Sequence, residues 1–387
     1  MKKSRYFLLS FSLVLVVAIL GSGMAVRVGA DDGSYRETVQ FAEIMSTILE
    51  YYVDPVDAEA LLRGAYEGML GGLDPNGAYL TADEVEEWRD RRSRDAGPGL
   101  SVLKVGRVVQ VVAVEPESSA DDADVKVGDH LRRVDGRSVR DLSLLQTRRL
   151  LGGEAGTEVS VELLRPGSDF ETLKLSLLRG LPAGRGYSVE VQRGIAVVRV
   201  EAPERVDREA LLEELDDIRS RGVTQLLLDL RNAAEAGPRE VARLAACFGA
   251  ESELRLRDTK GRVTDSIEPG SECDAWSGDL AVLINGATAG AAEALAQWIK
   301  GTETAVFGQS SYGLGSEPSL YELENGSGLL VSTAQWETVD GESWNEEGLD
   351  PDTVVEGEGG DYAEIQSDQL NKVLERLEER ARLEKAA

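Results

Sequence analysis

The chain has 387 residues, of which 70 are acidic and 42 basic, for a formal net charge of −28; its hydrophobic fraction of 42% is that of a globular protein of about two or three domains. The acidic surplus excludes a nucleic-acid partner, because few cations would replace counterions on phosphate, and opposes docking on an anionic membrane surface. One histidine, His130, excludes a multi-histidine metal centre and leaves little scope for a Ser–His–Asp triad, and two cysteines, Cys247 and Cys273, are too few for a four-cysteine zinc site.

Residues 1–30 read as an export segment. Lys2, Lys3 and Arg5 precede an apolar run from Phe7 to Leu20, and Val28-Gly29-Ala30 offers small residues for cleavage. The apolar stretch also extends through Val26, reaching the ~20 residues of a membrane anchor, so removal and anchoring both stay open. Either way the body of the chain is expected in the periplasm or cell envelope, with the membrane touched only through this segment. An oxidising compartment permits Cys247 and Cys273 to pair.

Residues 35–92 form a helical segment. Phe41, Ile44, Met45, Ile48 and Leu49 recur at helical spacing, Asp54-Pro55 ends that helix, Ala58 to Leu70 carries a second, and Thr81 with Glu84 is a capping box for a third. Residues 96–180 are β-rich, with strands expected at 108–114, 131–134, 159–164 and 173–178 and a short helix capped by Ser143. Residues 185–356 alternate strand and helix. Gln225 to Leu230 and Leu280 to Ile284 are nearly continuous apolar runs, as in strands covered on both faces. Alternation of this kind implies an α/β core. Residues 361–387 form a charged C-terminal helix.

This order of parts resembles the C-terminal processing peptidases, tail-specific serine peptidases of the cell envelope. The stretches that carry the resemblance are Tyr52-Val53-Asp54, Gly72-Leu73-Asp74-Pro75, Val127-Gly128-Asp129, Leu228-Asp229-Leu230-Arg231-Asn232, Asn285 to Glu293, Tyr312-Gly313-Leu314-Gly315 and Gly348-Leu349-Asp350-Pro351-Asp352. The resemblance implies an α/β multidomain fold. A PDZ-like β-rich domain would stand between the N-terminal helical segment and a Clp-protease/crotonase-like peptidase core. It implies no metal and no cofactor.

A PDZ domain holds a peptide C-terminus as an added strand, with loop amides on the terminal carboxylate. The corresponding loop here resembles Gly97-Pro98-Gly99-Leu100, in which Pro98 has no N–H to donate. Gly97, Gly99 and Leu100 are the expected carboxylate loop, and Leu144, Leu145 and Leu150 the expected groove lining. The partners so implied are polypeptide C-termini or unfolded proteins, together with an active peptidase relative.

The family's chemistry needs a serine nucleophile and a lysine whose pKa is lowered by burial. Its motif Ser-Ala-Ser-Ala-Ser-Glu corresponds to Thr288-Ala289-Gly290-Ala291-Ala292-Glu293, so the nucleophile position is Gly290. Its Phe-Gly-Lys-Gly corresponds to Tyr312-Gly313-Leu314-Gly315, so the base position is Leu314, and Pro318 stands where a glutamine is frequent. The glycines of its oxyanion loop correspond to Ala233-Ala234-Glu235-Ala236. Two functions follow: a tail-binding protein without catalysis, or an endopeptidase that uses a relocated pair drawn from Thr288, Ser310, Ser311, Ser316, Lys260 and Lys300. Trp298, Trp336 and Trp344 are either core residues or lining of the vacated cleft.

Overall fold

A computed structural model describes residues 32–73, 75–89, 96–167, 170–182, 184–234, 237–270, 273, 276, 278–302 and 304–386. Residues 1–30, expected to direct export, Asp74 of the Gly-Leu-Asp-Pro turn, and Glu235 and Ala236 of the stretch expected at the oxyanion loop lie outside the described residues. The chain forms two units, 1–65 and 66–387. The first contains helix α1 (Asp32–Tyr51) and the start of α2 (Ala58–Gly71); Phe41, Ile44 and Leu49 of α1 are exposed. No helix among the described residues is long and apolar enough to cross a membrane.

The second unit opens with β1 (Ala78–Leu80) and α3 (Ala82–Arg89). The capping box forms: Thr81 N–H donates to Glu84 and Glu84 N–H to Thr81 Oγ1. The β-rich, PDZ-like domain follows as an antiparallel sheet of order β2-β3-β4-β6-β7, from β2 (Leu100–Val105), β3 (Val108–Val114), β4 (His130–Val134), β6 (Glu158–Arg165) and β7 (Glu171–Leu178), with β5 (Arg137–Ser138) beside β4. Helices α4 (Ser119–Asp122) and α5 (Leu144–Leu151) complete it. Ser143 caps α5 reciprocally with Gln146. Val109, Val111, Leu131, Val134, Val159, Val161, Leu163 and Leu177 form its core.

The α/β core is a second sheet of order β17-β14-β13-β10-β9-β8. Its strands are β8 (Tyr187–Gln192), β9 (Ile195–Val200), β10 (Gln225–Asp229), β13 (Asp279–Ile284), β14 (Ala305–Gly308) and β17 (Thr353–Val354). All pair in parallel except β8 with β9. The crossovers carry α6 (Arg208–Ser220), α7 (Pro238–Cys247) and α8 (Ala291–Lys300). Side chains alternate across a strand. Leu226 and Leu228 therefore face α6, α7 and α8, while Leu227 faces the C-terminal helix α9 (Tyr362–Ala386) through Leu370, Val373, Leu374 and Leu377. Two covered faces account for the unbroken apolar runs.

A third sheet joins β11 (Leu254–Asp258), β12 (Val263–Ile267), β15 (Ser316–Glu322) and β16 (Gly328–Glu337) to β1. None of its strands is evident in the sequence pattern. Cys247 and Cys273 form a disulfide across the segment that carries β11 and β12. Trp298, Trp336 and Trp344 are all buried in the main core, so none lines the vacated cleft.

Candidate functional site

Parallel strands place their C-terminal ends along one edge of a sheet, where the loops that follow them converge. Here those loops are 230–234 after β10, 285–290 after β13 and 309–315 after β14. Thr288 Oγ1 donates to Leu230 C=O at 2.9 Å, Ala289 N–H to Ala233 C=O at 2.8 Å, and Tyr312 N–H to Thr288 C=O at 2.9 Å. Asn285, Asn232 and Tyr362 brace the same edge: Asn285 Nδ2 and the Tyr362 hydroxyl both donate to Asn232 Oδ1, at 2.9 and 2.6 Å.

Gly290 opens α8 with φ 59° and ψ −115°. This is the strained strand-to-helix geometry of a nucleophile elbow, which a residue with a Cβ holds only at a cost. Three residues on, Glu293 is wholly buried and draws the two dyad positions together. Its carboxylate accepts from Gly290 N–H at 2.9 Å, Leu314 N–H at 2.8 Å, Gly313 N–H at 2.6 Å and Ser311 Oγ at 2.5 Å. Burial pushes the Glu293 carboxyl up to about 7, against the pull of these four donors. The sequence pattern alone gives Glu293 no such role. Only the fold brings residues 311–314 to it.

Leu314 is half-buried and packs, with Tyr312, against a hydrophobic cluster that joins the core of residues 96–180 to Ala234, Ala287 and Ala289 of the loops. Pro318 lies in β15 at a register shift, where a ladder tolerates a missing N–H. The groups proposed for a relocated dyad are engaged elsewhere. Lys300 Nζ donates to Asp350 C=O, Lys260 is exposed in the β11–β12 turn, and Ser310 Oγ donates to Asp350. Ser316 Oγ accepts from Asn76 and Ser332.

The second half of the site is the PDZ groove. Among the described residues strand β2 pairs with β3 alone, and Arg148 of α5 reaches its other edge. Gly99 takes φ 83°, and a Cβ there would lie 2.1 Å from Ser118 Cβ, so only glycine fits this loop. Gly97 N–H is committed to Gly180 C=O. Leu100 faces Val114, and Glu115 N–H donates to Gly99 C=O, so the Leu100 N–H points away from β3 to the open edge. Farther along β2, Arg148 Nη2 donates to Val102 C=O at 3.2 Å and the Tyr312 hydroxyl donates to Lys104 C=O at 2.5 Å. Arg148 also reaches Ala234 C=O, tying α5 to the loop after β10.

A cleft of about 1130 Å³ has the loop at 97–102 as one wall, with Arg148 and Leu151 of α5. Its other wall is the sheet edge at Arg199, Asp229 and Asn232, with Tyr362 of α9. Gly97, Gly99 and Leu100 thus line one cavity, whereas Leu144 and Leu145 do not. Leu144 is wholly buried in the PDZ core, and Leu145 packs with Ala78, Leu80, Val85 and Leu330 on the opposite side. Adjacent helix positions lie about 100° apart, so these leucines could not share a face. Leu150 packs on the PDZ core as well. The groove residues of α5 are Arg148 and Leu151, separated by the three residues that one helix face requires.

Residues 194–355 match the family model described as Peptidase family S41, and residues 97–177 match that of the PDZ domain. A carboxy-terminal-processing protease of Bartonella bacilliformis is 26% identical over 354 residues, spanning 88% of this chain and 80% of that protein. The carboxy-terminal processing protease CtpA of Bacillus subtilis is 23% identical over 368 residues, spanning 92% and 78%. The solved structure of a photosystem II D1 C-terminal processing protease, 25% identical, superposes with a TM-score of 0.62 over 81% of this chain and 86% of its own.

Proposed function

The chain belongs to the family of C-terminal processing serine peptidases that carry a PDZ domain, and from that premise we propose that it is an exported tail-binding protein without peptidase chemistry. One observation carries this reading. The positions that correspond to nucleophile and base are Gly290 and Leu314, and the Leu314 side chain packs into an apolar cluster. A glycine has no atom with which to attack a carbonyl, and an alkyl chain cannot accept its proton. Export rests on the charge and apolar pattern of residues 1–30.

Binding rests on what the groove retains: the Gly99 turn, the outward Leu100 N–H, and an edge strand with no second strand beside it among the described residues. Because Arg148 and Tyr312 occupy the carbonyls of Val102 and Lys104, an entering tail must displace both donors. No lysine amine among the described residues is hydrogen-bonded to a hydroxyl, so nothing favours the relocated dyad.

The test is turnover of an unfolded protein with an apolar C-terminus by the purified full chain, run beside titration with a labelled tail peptide. Saturable peptide binding without turnover is expected. Turnover that survives contaminant controls and disappears in Arg148→Ala would overturn the non-catalytic reading. Absence of binding to any tail would overturn the binding one.

A further inference from the structure

The core wall of the cleft carries one guanidinium, Arg199, that the reading above leaves without a task. Asp229, at the end of β10, is buried beside two guanidinium groups. Arg231 is buried as well and grips it twice, Nε to Oδ1 at 2.8 Å and Nη2 to Oδ2 at 2.7 Å. Its remaining nitrogen donates to Gln366 C=O and Gln369 Oε1. Arg199 approaches the same carboxylate only to 3.5 Å, and its side chain is 49% exposed. Within this trio one carboxylate faces two guanidiniums, and with Arg231 fully committed the unmatched guanidinium is that of Arg199.

Strand alternation aims it. Val198 and Val200 are buried on one face of β9, while Ile195 and Val197 pack on α9 on the other. Arg199 continues this second face beyond the packed part of α9 and becomes a wall of the cleft. The facing wall holds the Gly99-Leu100 turn with its outward amide. A cleft with a backbone N–H on one side and a half-free guanidinium on the other suits a carboxylate, because each donor favours the anion and neither needs the other's position. Glu201 and Asp361 stand on the core wall too. With Glu204 they repel any carboxylate that Arg199 does not hold, so the cleft suits a tail whose only anion there is its terminus.

We propose that Arg199, a residue of the peptidase core, is the charge partner of the terminal carboxylate of the bound tail, so that PDZ loop and core read one C-terminus together. The inference rests on the tail-binding reading and adds to it the specificity: an apolar C-terminal tail with a free carboxylate and no acidic residue at its end.

The experiment is fluorescence anisotropy on the full chain with one labelled apolar peptide, made as the free acid and as the C-terminal amide. Wild type, Arg199→Gln and Arg199→Lys are compared, with thermal unfolding as the folding control. Arg199→Gln is expected to weaken the free acid about ten-fold, the size of one charge-assisted hydrogen bond, and to leave the amide unchanged. Arg199→Lys should recover part of the loss. If Arg199→Gln binds the free acid like wild type, the role of Arg199 is overturned while tail binding stands. If wild type binds neither peptide, both fail. Should Arg199→Gln not fold, the wild-type preference for free acid over amide decides. A preference that fades in high salt supports the guanidinium, and one indifferent to salt belongs to the backbone amides alone and overturns the proposal.

Discussion

The PDZ wall and the peptidase loops meet across Arg148 and Tyr312, and they differ in what each retains. The PDZ wall has the groups a tail needs, but two of its edge carbonyls are already paired with donors from α5 and the peptidase loops. The loops at the ends of β10, β13 and β14 keep the backbone of a catalytic elbow but have no side chain at Gly290 and an alkyl one at Leu314. The difference teaches that a catalytic framework is held by groups other than those that react. Here Glu293, Thr288 and the Asn232–Asn285 pair do the holding.

Breaking the framework should have the largest effect. Glu293→Ala leaves three backbone N–H groups and the Ser311 hydroxyl without their acceptor, and at about 1–3 kcal/mol for each buried orphan the loss of unfolding free energy in denaturant should be about 3 kcal/mol or more. A loss below about 1 kcal/mol would mean that the loops hold themselves. Glu293 also predicts a pH signature. Its folded pKa of about 7 lies above the ordinary 4.5, so its contribution is complete below about 4.5 and is lost as the pH rises towards 7. The stability of wild type relative to Glu293→Gln should therefore fall across that window; a constant difference would show that the four donors cancel the effect of burial.

The disulfide comes next. Cys247 and Cys273 are 26 residues apart, and replacing both with serine should cost about 3 kcal/mol in the core and nothing in tail affinity. Equal denaturation midpoints with and without reductant would contradict this.

Gly290→Ser forces a side chain into φ 59°, ψ −115° and should cost about 1–3 kcal/mol. Combined with Leu314→Lys it is the sharpest probe of the comparison. Peptidase activity in the double variant would mean that the framework alone survives intact, and inactivity in a folded variant would place the altered loop after Asn232 among the losses. The smallest effect belongs to the PDZ edge. Tyr312→Phe frees the Lys104 carbonyl and should tighten tail binding a few-fold, within the ~1 kcal/mol net worth of one hydrogen bond. Weaker binding instead would make the Tyr312 hydroxyl part of the groove.

Features fixed by neighbours in sequence were legible. The capping box at Thr81, the cap at Ser143 and the doubly covered strands β10 and β13 all appear where the pattern puts them. The third sheet was not legible. β12 is exposed along most of its length and β15 carries a proline, so neither shows the alternation of a half-buried strand; their partners lie in β11 and β16. The groove lining failed for another reason. Leucine content pointed to Leu144 and Leu145, but the rotation of α5 is set by its anchorage on both sides. Gln146 donates to Tyr79 C=O and Arg148 donates to Val102 and Ala234 C=O, which turns Arg148 and Leu151 to the cleft.

The sequence by itself determined the order of parts, the local caps and the absence of reactive groups at 290 and 314, because a missing side chain is missing in any fold. The tertiary structure alone decided where the remaining charges act. Glu293 meets Gly313 and Leu314 across about twenty residues of chain, and Arg199 shares a cleft with Leu100 across nearly a hundred. Such meetings depend on the register of β9, β10, β13 and β14 and on the docking of the PDZ helix, which are properties of the packed sheet and not of any one segment.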